Sequence, residues 1–379
     1  MLIRHIALDE VIVPARADSI NSPETDYALH KLPQGAKAGW TQQFDQVSKT
    51  IIQISLDNGI TGLGESYRGI SSSLLREIAV SLIGTDLRQV NLQALPIPSG
   101  RAYDGFECAL LDAMTKSHDI SLSEWLGGRY RDKVPCTYWT GHRTIDDAAR
   151  KSREAVAKGY QHIKFKCKIS DPVVDWCEAI QSACGEAFSV ILDPNERFYS
   201  PAHTETIAHN LEEIGNVMFL EDPIPRWDFE SWAYLRGKIR IPLSMHISLP
   251  YCEMGQIVQD AARAARIGAS DYFNFNGGIY AFRNLAALSD LFGIPYSHGS
   301  EVDLGVLEAS YVHKASAVAG ATLPSDIFGR LIREHDLLKT PLQISNGEIT
   351  VPDGPGLGIE LDGEVLSHYT LEHWETPEQ

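Results

Sequence analysis

The chain is poor in cysteine, poor in positive charge and free of long apolar runs. Six cysteines, Cys108, Cys136, Cys167, Cys177, Cys184 and Cys252, are spread over 379 residues. That is too sparse for a disulfide-built scaffold. Cys177 and Cys184 are spaced too loosely for a zinc ribbon. No run of about eighteen apolar residues occurs, so no membrane-spanning helix is expected. The opening MLIRHIALDEVIVPARAD lacks the apolar core of a secretion signal. A reduced, cytoplasmic protein is therefore expected. Lys and Arg total 33 against 50 Asp and Glu, a formal charge of −17. So acidic a chain lacks the basic footprint of a nucleic-acid binder and is repelled by anionic membranes. The hydrophobic content of 44 % excludes disorder. The length suits one barrel plus a smaller domain.

Two halves with different rhythms can be read along the chain. IRHIALDEVIVP and TIIQISLDNGITGLGE alternate in the manner of strands, and Asp57-Asn58-Gly59 is a hairpin turn signal. Residues 15 to 46 form a long stretch with little periodicity, the usual form of a functional lid or of a disordered segment. Helical patterns follow, through ALLDAMTKSHDISLSEWLGG. From about Val134, short apolar runs alternate with amphipathic stretches: PCTYWTG, HIKFKCK, SVILDPNE, VMFLEDP, IPLSMHIS, DYFNFNGG and IPYSHGS. An eighth strand is expected near Gly320–Ile327. This predicts an α/β fold, a (β/α)₈ barrel over about 131–344. An α+β domain at 1–130, joined by a C-terminal return at 345–379, would complete it.

Active sites of such barrels lie at the C-terminal strand ends. Those ends are charged here. Lys164 and Lys166 end strand two and share a face by the period of two. Strand three ends in Asp193, with Asn195 two residues on. Strand four ends in Glu221, strand five carries His246, and strand seven ends in His298. Singly, each has a structural reading, such as a helix N-cap for a strand-end carboxylate. Five successive strands delivering ionisable groups to one end point to a shared site. Asp193 and Glu221 suit a hard divalent cation such as Mg²⁺, with His246 the third group at that end. A lysine beside another ammonium and a cation is destabilised in its charged form, so Lys166 is a candidate base. The combination suggests proton abstraction next to a carboxylate, with the metal stabilising the ene-diolate.

In this order, GLGES at 62–66, Lys-x-Lys at 164–166, Asp193-Pro-Asn195, Glu221-Asp-Pro223, Gly277-Gly278, His298 and PGLGIELD at 355–362 resemble the enolase superfamily. The likeness is to its mandelate racemase-like enzymes and covers nearly the whole chain. It implies a modified barrel under an α+β capping domain, and metal-assisted removal of a proton α to a carboxylate. It implies Lys166 and His298 as the acid/base pair. Two positions depart from the pattern. The third metal ligand is usually Glu; here His246 stands in the matching stretch. Glucarate dehydratase-like members use a neutral Asn there. Imidazole suits Mn²⁺, Fe²⁺ or Zn²⁺ better than Mg²⁺. The strand-six Asp that usually orients the His is also missing. Asp271 falls at the barrel's far end, and Asn274 or Asn276 takes the usual place, unless Glu301 or Asp303 orients His298. Asp326 is a further polar candidate.

The leading expectation is a dehydratase of a sugar acid or other hydroxy-carboxylate, with Lys166 as base and His298 as acid. A racemase or epimerase, and a non-catalytic binding protein on the same fold, are the alternatives. Tyr27, His30, Trp40 and Gln43 of the long stretch, and Arg68 after GLGES, are candidates to meet a ligand, with plain loop packing the commoner role for each loop residue taken singly. A homo-oligomer is expected by the same resemblance.

Overall fold

The computed structural model describes residues 1–25, 47–95, 97, 100–247 and 257–377. The chain opens with β1 (Ile3–Val11), β2 (Lys49–Leu56) and β3 (Thr61–Glu65). Gly59, in the β2–β3 turn, has φ +81°, a conformation that favours glycine. Helices α1 (Ser72–Leu82), α2 (Arg101–Ser117) and α3 (Leu122–Trp125) lead to β4 (Lys133–Pro135). The barrel follows as β5 (Tyr138–Thr140), α4 (Ile145–Ala157), β6 (His162–Lys166), α5 (Val173–Cys184), β7 (Ser189–Asp193), α6 (Pro201–Ile214), β8 (Val217–Glu221) and α7 (Phe229–Arg236). It continues with β9 (Leu243–His246), α8 (Ile257–Ile267), β10 (Tyr272–Phe275), α9 (Ile279–Phe292), β11 (Tyr296–His298) and α10 (Gly305–Ser316). The chain closes with α11 (Gly329–Ile332), β12 (Ile344–Ser345), β13 (Glu348–Thr350), α12 (Gly363–Tyr369) and β14 (Thr370–Glu375).

The first sheet has the order β14-β1-β2-β3, so the C-terminal strand pairs with the N-terminal one. Strands β5 to β11 form one parallel sheet in sequential order. Along each strand, one set of side chains enters the layer between sheet and helices. Ile163, Phe165, Val190, Leu192, Leu220, Met245, Phe273, Phe275 and Tyr296 join Trp176, Trp232 and Phe282 in that layer. By the two-residue period, Lys164, Lys166, Asp193, Glu221, Ser244, His246 and Asn274 face the barrel interior.

The expected eighth strand is present only as an irregular segment. Tyr296 N donates to Gly320 O (3.0 Å) and Asp326 N to His298 O (2.8 Å). On the opposite edge, Ser325 N donates to Pro135 O (2.8 Å) and Thr137 N to Ser325 O (3.0 Å). The segment thus links both ends of the sheet. Pro324 has no N–H to contribute, which keeps the ladder from becoming regular. Among the described residues, no helix is long and apolar enough to cross a membrane.

Candidate active site

The two lysines of β6 gather the carboxylates of three barrel positions. Lys164 Nζ donates to Asp326 Oδ2 (2.7 Å) and Glu221 Oε1 (2.8 Å), and lies 3.2 Å from Asp193 Oδ2. Lys166 Nζ bonds Asp193 Oδ2. Burial opposes the charge on Lys164, but Asp326, Glu221 and Asp193 outweigh it and hold the ammonium well above its ordinary range. Burial likewise opposes ionisation of Glu221. The Lys164 ammonium, His246 and Lys166 outweigh it, and the carboxylate stays well below its usual range.

Across the barrel, the described polar groups of β9 and β10 are chiefly uncharged. Asn274 Nδ2 donates to both oxygens of Glu221, each at 3.1 Å. His246 Nε2 is 2.9 Å from Asn276 Oδ1, and Asn276 Nδ2 donates to Glu301 Oε1 (3.2 Å). Glu301 is held in turn from the capping domain. Arg101 Nη2 donates to its Oε2 (2.7 Å), and Arg68 Nε lies 3.5 Å from the same atom. Gly299 packs against this pair. A Cβ there would fall 2.1 Å from Asn276 Oδ1 and 2.6 Å from His246 Cε1, so only a bare Cα fits. Asp222, with φ +47°, accepts the backbone N–H of His246 (2.8 Å) and pairs with Arg226. Burial pushes its carboxyl up to about 6.

The structure does not bring His298 into the mouth. In the β10–β11 register, His298 pairs with Phe275 and Ser297 with Asn274. Paired residues share a face, so Ser297 points inward and His298 outward. The ring lies between Tyr311 of α10 (centroids 3.7 Å apart) and Phe282 of α9 (4.9 Å). Its Nδ1 is 2.6 Å from Gly299 O. Burial and the nearby Lys314 ammonium depress its basicity far below the ordinary value, so the ring is neutral. The groups expected to orient it serve elsewhere. Asn274 and Asn276 hold Glu221 and His246, and Glu301 holds the arginines. Asp303 accepts from Lys49 Nζ (2.5 Å) and Tyr311 Oη (2.8 Å). Asp271 lies at the far end of the barrel, as its sequence position implies, paired with Arg236 (2.6 Å).

The description "Enolase C-terminal domain-like" matches residues 147–365. The N-terminal domain of the mandelate racemase / muconate lactonizing enzyme group matches residues 39–127. The chain belongs to this family of the enolase superfamily. Muconate cycloisomerase 1 of Rhodococcus opacus is 25 % identical over 346 residues, 84 % of this chain and 90 % of that one. D-xylonate dehydratase of Haloferax volcanii is 25 % identical over 368 residues, 85 % of each chain. The solved N-succinyl Arg/Lys racemase of Bacillus cereus superposes with a TM-score of 0.83 at 22 % identity, covering 100 % of both chains.

Members of the family are typically Mg²⁺-dependent, and the donor chemistry here suits a divalent cation. Ligand atoms of Glu221, Asp222 and His246 lie within 4.8 Å of one another. Asp193, expected in that group, sits further round, bridged to Glu221 by the Lys164 ammonium. Asn195 Oδ1, Asn274 Oδ1 and Ser244 Oγ are buried and have no hydrogen-bond partner. Orphaned polar atoms of this kind, beside carboxylates, are what a cation shell would use.

Asp222 and Arg101 stand out only in the structure. Asp222 reads as the middle of a Glu-Asp-Pro turn, and its role depends on a left-handed backbone. Arg101 lies on a capping-domain helix, with no local signal tying it to the barrel. Tyr27, His30, Trp40 and Gln43 lie outside the described residues.

Proposed function

We propose that the protein performs a one-base reaction on a hydroxy-carboxylate, most simply dehydration of a sugar acid. The asymmetry of the mouth carries this reading. The β6 wall offers the Lys166 amine. On the opposite wall, the inward groups described on β10 and β11 and just beyond β10 are Asn274, Asn276 and Ser297, none of which is a base. Lys166 in its neutral form takes the proton α to the substrate carboxylate. It returns that proton to the β-hydroxyl as the C–O bond breaks on the same face. The substrate loses water and Lys166 ends as it began. Lys164, fixed as an ammonium, supplies positive charge to the substrate carboxylate. A divalent cation held by the neighbouring carboxylates would supply Lewis-acid stabilisation of the negative charge that develops there.

Racemisation or epimerisation is the second reading. It is supported by the N-succinyl Arg/Lys racemase among the relatives. It needs a proton-transfer group on the far face, where His246 is a described titratable side chain.

The discriminating experiment is a screen of sugar acids and amino-acid-derived acids in deuterated water. The one-base reading predicts loss of water and deuterium in a single configuration of any recovered substrate. Deuterium in both configurations without loss of water would establish racemisation instead. No turnover or exchange across the library would overturn the enzymatic reading.

A further inference from the structure

We propose that His246 is a metal ligand through Nδ1, held in the required tautomer by a relay that starts in the capping domain. We further propose that the site therefore prefers a borderline divalent ion such as Mn²⁺ or Zn²⁺ to Mg²⁺. The inference deepens the functional reading above by assigning the metal's class and its supports.

Glu301, between the guanidinium groups of Arg101 and Arg68, is an acceptor only. Asn276 can meet it only with its amide nitrogen, which it does at 3.2 Å. The amide oxygen is thereby turned to His246, 2.9 Å from Nε2. Two acceptors cannot bond, so Nε2 carries a proton, and a cation at Nδ1 would take the remaining lone pair in place of a second proton. Nδ1 lies 3.6 Å from Glu221 Oε1, beyond hydrogen-bond reach but beside a carboxylate suited to share a cation with it. This is the arrangement of metal-bound histidines, whose second ring nitrogen donates to a fixed acceptor. The bare Cα of Gly299 leaves room for the pair.

A second feature points to a ligand independently of the acidic cluster. Asn195 Oδ1, Asn274 Oδ1 and Ser244 Oγ are buried and unpartnered, on the same strands or next to them. Mg²⁺ demands an oxygen shell and keeps its water, whereas imidazole nitrogen favours the later first-row ions. An imidazole among carboxylates thus shifts the preference away from Mg²⁺.

The test uses the whole chain, stripped of metal with a chelator and reloaded with Mn²⁺ alone. Pulsed EPR is expected to show ¹⁴N coupling from one imidazole, and calorimetry to show Mn²⁺ binding more tightly than Mg²⁺. Asn276→Leu should lower Mn²⁺ affinity by about 10–100-fold, the usual cost of losing such a support. His246→Asp should abolish the ¹⁴N coupling and move the preference toward Mg²⁺. Bound Mn²⁺ without ¹⁴N coupling in the unaltered protein would overturn the proposal, as would equal affinity for the two ions. No folding of a variant is needed for either result. A positive result would stand even if no α-proton were ever removed, so the two readings fail separately.

Discussion

Lys164 and Lys166 sit two residues apart on one face, yet their surroundings assign them different work. Lys164 is buried, and without it only Lys166 would offset its three carboxylate neighbours. Lys164→Met should therefore destabilise the fold by about 3–5 kcal/mol, as loss of one partner in a buried ion cluster does. Urea denaturation checks this; a cost under about 1 kcal/mol would contradict it. His298 makes the complementary case. Its neutral ring is packing material between Tyr311 and Phe282, so His298→Phe should keep turnover within a few-fold. Loss of a true general acid costs about 10²–10⁴-fold; a kcat loss of that size would restore His298 to the chemistry. The sequence misleads here for a physical reason. A one-residue shift in register exchanges the two faces of a strand. In IPYSHGS, Tyr296 and His298 share the outward face and Ser297 alone turns inward. Nothing local says which set is which. Lys164, Lys166, Asp193 and Glu221 were legible because they continue clear apolar alternation.

At the scale of elements, the capping domain seats itself on helix N-termini of the barrel. Glu65 accepts from Leu304 N (2.8 Å) and Leu307 N (3.0 Å) at the start of α10. Glu107 accepts from Ile279 N at the start of α9, and Asp104 from Gly278. Carboxylates at these ends meet unpaired N–H groups and the positive end of the helix dipole. Lys314 Nζ closes the turn on Gly277 O (2.8 Å). Burial and the Glu107 charge push the Asp104 carboxyl from 3.8 up to about 7. Between those values the folded chain holds a proton that the unfolded chain has released, so Asp104 lowers stability as pH rises through that window. Asp104→Asn keeps the acceptor without the titration. Its melting temperature should gain on that of the unaltered protein from pH 4 to 7 and level off above. Parallel curves would contradict this. Strands and helices were readable from periodicity and the Asn58-Gly59 turn; of the tail expected to return to the first domain, β14 pairs with β1 while the β12–β13 hairpin joins β4 instead. These cross-domain caps were not readable, because each joins residues more than a hundred positions apart.

On the scale of the whole molecule, the charge of −17 describes the exterior. At the mouth, Lys164, Lys166, Arg68 and Arg101 stand against Asp193, Glu221, Asp326 and Glu301, four against four. A bound divalent cation would leave that region positive, the sign an anionic substrate needs, inside a molecule whose field otherwise repels it. Composition alone could not reveal this, because it counts charges without placing them. The central claim is that Lys166 is the group that moves the α-proton. The direct test is solvent deuterium exchange at the α-carbon of a substrate acid, followed by NMR in the unaltered protein and in Lys166→Met. The account predicts exchange and product in the first. In the second it predicts a folded protein, with the Lys164 cluster intact, that gives neither. Exchange that persists in Lys166→Met would contradict it.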